Sequence, residues 1–310
     1  MSGVIVIAVI ASAIRLATPL LLSALGGVFS ERSGVVNIGL EGIMIFGAFF
    51  SVLFTHITGN AWIGVAAAII FGVVMAALLA VVSINLKGNQ IIAGTAVNLL
   101  AAALTAFFLE LIWHRSGSTP ICPDMLTSNP IRVLEKLPVI GDLFKQFTPF
   151  IYIAIILTFV TYYILWKTPW GLHVRAVGEH PKAADTVGIG VYKTRWICVL
   201  LSGVLAGLSG ACLSIGTVGL FREGMVAGKG FIALAAMVFG KWHPIGAMGA
   251  SFFFGICLAI QIQAQSFGLD VPGEFLAMVP YVATIIVLIG VVGKAVAPKA
   301  DGQPYEKDEA

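Results

Sequence analysis

Long apolar runs, broken by short polar stretches, set the organisation of this chain. A helix that crosses the hydrocarbon core of a bilayer needs about 20 mostly apolar residues. That rule marks spans at Val4–Val28, Gly34–Thr55, Ala61–Ile84, Ile91–Trp113, Phe150–Trp166, Ile197–Val218, Gly246–Ile262 and Phe275–Val292. One further apolar run, Phe231–Gly240, is too short to cross comfortably by itself. The pattern predicts an all-α, polytopic integral membrane bundle of about eight to nine transmembrane or re-entrant helices. It occupies residues 1–293, with a long proline-bearing loop over 114–149 and a disordered tail over 294–310.

Composition points the same way. Of the 310 residues 59% are hydrophobic and only 11% charged, against about a quarter charged in a soluble domain; the mean hydropathy is +1.00. A net charge of +3 gives no reason to expect nucleic acid. Cys122, Cys198, Cys212 and Cys257 have neither metal-like nor redox spacing and are expected to be small packing residues. The N-terminal apolar run has no basic region ahead of it and is interrupted by Arg15, so a cleaved signal peptide is not expected.

Charge placement orients the spans. The stretch Gly171–Trp196 carries Arg175, Lys182, Lys193 and Arg195 against only Glu179 and Asp185. Basic residues beside membrane spans are retained on the cytoplasmic side, which places region 167–195 and the C-terminus in the cytoplasm. Nine crossings then put the N-terminus outside and gather eleven of the eighteen Lys and Arg on the cytoplasmic side. Eight crossings, with Phe231–Gly240 re-entrant, put the N-terminus inside and remain open.

Two glycine-rich openings suggest an internal inverted repeat. SGVVNIGLEGIMIFGAF in the first half and AGKGFIALAAMVFGKW in the second each follow a glycine-bearing span and point in opposite directions across the membrane.

Few polar side chains fall within the spans. Asn37 and Glu41 are spaced i,i+4 and share a face on a helix. They read either as a substrate pathway at a helix opening or as a cap in which Glu41 pairs with Arg32 or Arg15. Asn98 and Gln261 are neutral amides suited to interhelical glue or to a polar, uncharged solute. Arg15 is expected to pair internally. The chain has no G-x-x-x-x-G-K-[ST], H-E-x-x-H or G-x-S-x-G, and its five histidines are scattered, so no catalytic or metal site and no ATP site of that kind is expected. The spans also lack the ladder of acidic residues that a proton-driven pump would need.

Four blocks carry a more specific resemblance: LGGVFSERSGVVNIGLEGIMIFGAF, GLHVRAVGEHPKAADTVGIGVYKTRW, GKGFIALAAMVFGKWHPIGA and VPYVATIIVLIG. Together, from about Leu16 to Val292, they resemble the permease subunits of bacterial ABC importers in the branched-chain amino acid and simple-sugar permease superfamily. The branch is the one associated with nucleoside uptake and basic-membrane-lipoprotein receptors. The resemblance implies a multi-pass protein of the bacterial cytoplasmic membrane that is not itself an enzyme and binds no cofactor. A separate ATP-binding subunit would use ATP and Mg, a second and different permease would complete the membrane core, and an extracytoplasmic substrate-binding lipoprotein would deliver the solute. It also implies a short cytoplasmic coupling helix that docks on the ATP-binding subunit, matched here by Gly178, Glu179, Pro181, Ala183, Ala184, Asp185 and Gly188. Pro181 suits a first helical turn and Gly188 a helix stop. Nothing in the sequence separates a nucleoside from a simple sugar, and a stand-alone secondary transporter is the more distant alternative.

Overall fold

A computed structural model describes residues 2–131, 144–266, 278–279, 282–285 and 296–307. Long helices follow the apolar runs: α1 (Ser2–Arg32), α2 (Leu40–Thr58), α3 (Ala61–Ala80), α4 (Gln90–Trp113), α5 (Pro149–Lys167), α8 (Val191–Leu213) and α10 (Pro244–Ser266). Three shorter helices are α6 (Pro169–Glu179), α7 (Pro181–Thr186) and α9 (Lys229–Phe239). Among the described residues, seven helical segments are long and apolar enough to cross a membrane. The last expected span, Phe275–Val292, lies largely outside the described residues, as does part of the 114–149 loop.

Local chemistry fixes most helix ends. The Asn60 side chain accepts from the Trp62 N–H and that of Asn89 from the N–H groups of Ile91 and Ile92, pairing donors that a helix start leaves free. Proline opens α5, α6, α7 and α10, where its missing N–H costs nothing. Both α3 and α8 end in a π-helical turn, Val81–Asn85 and Ser214–Val218.

The core is a close crossing of α8 with α2 and α3. A methyl group added to Gly207 would sit 2.3 Å from the Ala68 carbonyl oxygen, and one on Gly210 would sit 2.2 Å from that of Met44. The glycines of α8 therefore allow close approach to two helices at once. Around it Phe49, Phe50, Phe71, Phe108 and Phe221 interlock, with Phe50 stacked on Phe71 at 3.6 Å between ring centres.

The bundle has two distinct ends. At one, the Arg32 side chain donates to the carbonyls of Trp242 and Lys241, and the Trp196 indole donates to Asn85. At the other, Thr119 N–H donates to Phe221 O, Glu223 N–H to Gly117 O, and Ala61 N–H to the Asp124 carboxylate. The described part of the 114–149 loop is thus ordered against the start of the segment that precedes α9. That segment, with α9, runs from Phe221 at the Trp113 end to Trp242 at the Arg32 end. It traverses the bundle, which removes the re-entrant alternative. The N-terminus of the 31-residue α1 and the tail around Ala300 accordingly lie at opposite ends.

Candidate functional site

The first polar site lies inside the bundle, where two broken helices meet. After α1 the chain does not resume a helix at Gly34 as expected, because side chains occupy its backbone groups. Ser30 Oγ donates to Val35 O, and Gln90 Oε1 accepts from Val36 N–H. The helix begins only at Leu40, so Asn37 precedes α2 and does not share a helical face with Glu41. Asn37 is fully buried and donates to Ser202 Oγ at 2.8 Å, while its Oδ1 has no partner among the described residues. Asn98, from α4, bridges the break: its Oδ1 accepts from Gly42 N–H at 2.7 Å and its Nδ2 donates to Ile38 O at 3.0 Å.

Glu41 points across to the start of α9. Its Oε1 accepts from Gly228 N–H at 2.8 Å and its Oε2 from Gly230 N–H at 2.7 Å. Helix starts carry unpaired N–H donors and a partial positive charge, so the carboxyl group finds there the compensation that a buried acid requires. A side chain at position 230 could not fit, because its first carbon would lie 2.6 Å from the Glu41 backbone. The expected pairing of Glu41 with Arg32 or Arg15 does not form. Arg32 is taken by the carbonyls beyond α9, and Arg15 is exposed on α1 without an internal partner among the described residues. From this junction α2 and α9 run to opposite ends of the bundle, in the arrangement that the two glycine-rich openings suggested. Gln261 stands apart: it is half-buried on α10, which packs chiefly on α1 and α9.

The second site is the elbow of α6 and α7 at the Arg32 end. Pro181 opens α7, and Gly188 at φ +84° closes it while Ile189 N–H reaches back to Ala184 O. Ala184 is buried against Val177, Val191 and Tyr305, whereas Ala183 and Val187 face outward, Val187 with 74% of its surface exposed. Gly178 presses on the end of α1: a methyl group there would lie 2.2 Å from the Arg32 carbonyl oxygen. Of the expected coupling residues, Glu179 closes α6 and Asp185 lies 3.6 Å from Lys307.

Two features of this end were not legible. Arg195 looked like one more solvated charge, yet it is 1% exposed. Its Nε donates to Ser33 O at 3.2 Å and its Nη1 to Gln303 O at 2.9 Å. The one hint was spacing, since Arg195 falls on the α8 face shared with Val191 and Cys198. The tail is the second. Residues 296–307 pack as a strap rather than a disordered end: Ala300 N–H donates to Gly178 O, Tyr192 Oη to Tyr305 O, and Lys87 pairs with Glu306 at 3.1 Å. Burial raises the Asp301 carboxyl well above the usual carboxylate range. His243, packed edge-on against Trp166, is pulled below the usual imidazole value by burial and by nearby Arg32.

The family model for the permease component of branched-chain amino acid transport systems matches residues 9–291. The chain belongs to that family. This permease is 46% identical to the guanosine ABC transporter permease protein NupQ of Bacillus subtilis, over 94% of each chain. It is 44% identical to the nucleoside ABC transporter permease protein NupC of Lactococcus lactis, over 97% of each. Among solved structures it resembles, with a TM-score of 0.52 and 15% identity over 91% of this chain and 84% of the other, a protein provisionally described as a metal-chelate type ABC transporter in an inward-facing conformation. That likeness concerns the fold alone. The permease is a multi-pass membrane protein and a transport subunit of an ABC system, not itself an enzyme.

Proposed function

We propose that this permease carries nucleosides inward across the bacterial cytoplasmic membrane, by alternating access, as part of an ATP-driven importer. The observation that carries the substrate class is the near full-length identity of 46% and 44% to two permeases named for guanosine and for nucleosides. The energy enters from a separate ATP-binding subunit that uses ATP and Mg. A substrate-binding lipoprotein delivers the solute at the Trp113 end, and a second, different permease completes the pathway. The positive-inside bias supports placing the Arg32 end in the cytoplasm.

The coupling surface in this reading is the elbow, with Gly178, Glu179, Pro181, Ala183, Ala184, Asp185 and Gly188 presenting α7 to the ATP-binding subunit. The contacts support a route for the movement. Gly178 bears on the Arg32 carbonyl, Arg32 holds the carbonyls of Lys241 and Trp242 just past α9, and Glu41 of α2 holds the start of α9. The 11-residue α9, about 16 Å long, is thereby tied at both ends and suited to tilt as a rod. Asn37, Glu41 and Asn98 act as the pivot bordering the pathway, apart from Gln261 on α10.

The test is uptake of labelled guanosine in cells that lack the chromosomal copy and carry the full importer with Glu179→Lys or Ala183→Trp. Uptake is expected to fall at least about tenfold while the complex still assembles. Full uptake by an assembled complex carrying both substitutions would overturn the coupling assignment.

A further inference from the structure

The strap makes more contacts with the coupling elbow than a passive tail requires. It crosses the Arg32 end as a turn, with Asp301 N–H donating to Pro298 O and Gln303 N–H to Ala300 O. Three fastenings hold it on three different elements. Ala300 N–H bonds Gly178 O of α6, Gln303 O accepts from the buried Arg195 of α8, and Tyr305 inserts between α6, α7 and α8. Tyr305 is 5% exposed, packs on Val177, Ala184 and Val191, and stands 5.3 Å from the Tyr192 ring with its carbonyl bonded to that hydroxyl. Beyond it Lys307 reaches Asp185 and Glu306 reaches Lys87 on the α3–α4 turn.

Without the strap, the buried face of α7 would lose the Tyr305 ring and keep only its packing on Val177, Val191 and their neighbours. A six-residue helix has almost no stability of its own, and its one buried side chain, Ala184, packs in a small cluster with Tyr305, against which the Tyr192 ring is set. Between elbow and strap lies an open groove of about 520 Å³ of mixed lining, with Glu179, Pro181 and Lys182 from the elbow and Lys299, Gln303 and Glu306 from the strap. Whatever docks on α7 therefore meets the strap as well.

We infer that residues 298–307 are a positioning element for energy coupling: Tyr305, with Arg195 beneath it, fixes the attitude of α7 so that movement of the ATP-binding subunit reaches the end of α1. This rests on the coupling role proposed for the elbow. Tyr305 acts through α7 and touches no substrate. Loss of its ring frees α7 to rock on its docking partner, so ATP is still hydrolysed but less of the movement reaches the spans.

The test uses the complete importer, with its ATP-binding subunit, both permeases and receptor protein, reconstituted in proteoliposomes. ATP hydrolysis and labelled guanosine uptake are measured on the same preparation. With Tyr305→Ala, hydrolysis is expected to stay within about twofold of the parent while guanosine carried per ATP falls about tenfold. Tyr305→Phe, which keeps the ring, is expected to restore the ratio. Removal of residues 305–310 should reproduce the Tyr305→Ala result. An unchanged ratio, a proportional fall of both activities, or failure of both tail variants to assemble would each overturn the inference. Ala183→Trp in parallel separates the two readings. If it abolishes uptake while Tyr305→Ala does nothing, only the strap inference fails; if it too does nothing, the coupling role of the elbow fails.

Discussion

Glu41 and Gly230 come from opposite halves of the chain, yet the Glu41 carboxyl group closes the start of α9 by accepting from Gly230 N–H at 2.7 Å, with Gly228 N–H held beside it at 2.8 Å. The acid is a clasp between two helix starts. Replacing it with alanine leaves two buried N–H donors without partners, at a cost of about 1–3 kcal/mol each. Glu41→Ala is expected to lower the thermal midpoint of the detergent-solubilised permease by several degrees, with Glu41→Gln, which keeps one acceptor oxygen, in between. A midpoint for Glu41→Ala equal to the parent's would contradict the clasp.

Gly178 meets the end of α1 with no room to spare, since even a methyl group would lie 2.2 Å from the Arg32 carbonyl oxygen. Gly178→Val should push the elbow off α1. ATP-dependent uptake is then expected to drop at least about tenfold, with the backbone separation visible as new proteolytic sensitivity between α6 and α7. Normal uptake by this variant would remove Gly178 from the transmission route.

Much of this was readable in the residues, for definite reasons. Apolar runs place spans because the bilayer admits little else, and Pro181 with Gly188 bracket a short helix because the proline ring presets a helical φ and glycine readily takes the positive φ of a helix stop. Gly203, Gly207 and Gly210, spaced i, i+4 and i+7 along one span, likewise leave room for close helix approach. The misreadings share a cause. Asn37 and Glu41 were placed on one helix because periodicity cannot see that Ser30 and Gln90 bind the backbone before Leu40. Charge and polarity alone place Arg195 and the tail in water, whereas a guanidinium that fastens the carbonyls of Ser33 and Gln303 is a tertiary fact. Nor does sequence spacing bring Glu41 to Gly228, which are joined only by the packing of α2 against α9.

Asp301 gives the strap a pH dependence of defined sign. Its carboxyl is raised by burial, above the unfolded value of about 3.9. A raised carboxyl binds its proton more tightly when folded, so its contribution is complete below the unfolded value and is lost as pH rises through the raised one. Strap docking, followed by trypsin cleavage near Lys299 and Lys307 with trypsin activity calibrated at each pH, should loosen as pH rises toward and past neutrality. Asp301 faces the buried carboxyl group of Glu31, so Asp301→Asn combined with Glu31→Gln should flatten that profile; an unchanged profile in the double variant would place the titration elsewhere.

Cys122 is buried in the loop after α4, and burial pushes its thiol up to about 11. Very little of it is thiolate at neutral pH. The native permease is therefore expected to label with maleimide far more slowly at Cys122 than a free cysteine does, and to label fully on denaturation. Rapid native labelling at that position would show that the loop does not stay packed against the segment before α9.

The most direct measurement of the central claim is transport by the reconstituted importer, with labelled guanosine outside the receptor-bearing face and ATP supplied to the opposite side. Accumulation is expected only with ATP, and is expected to be suppressed by excess unlabelled nucleosides but not by ribose or leucine. Accumulation without ATP, or competition by ribose or leucine as strong as that by nucleosides, would contradict an ATP-driven nucleoside permease.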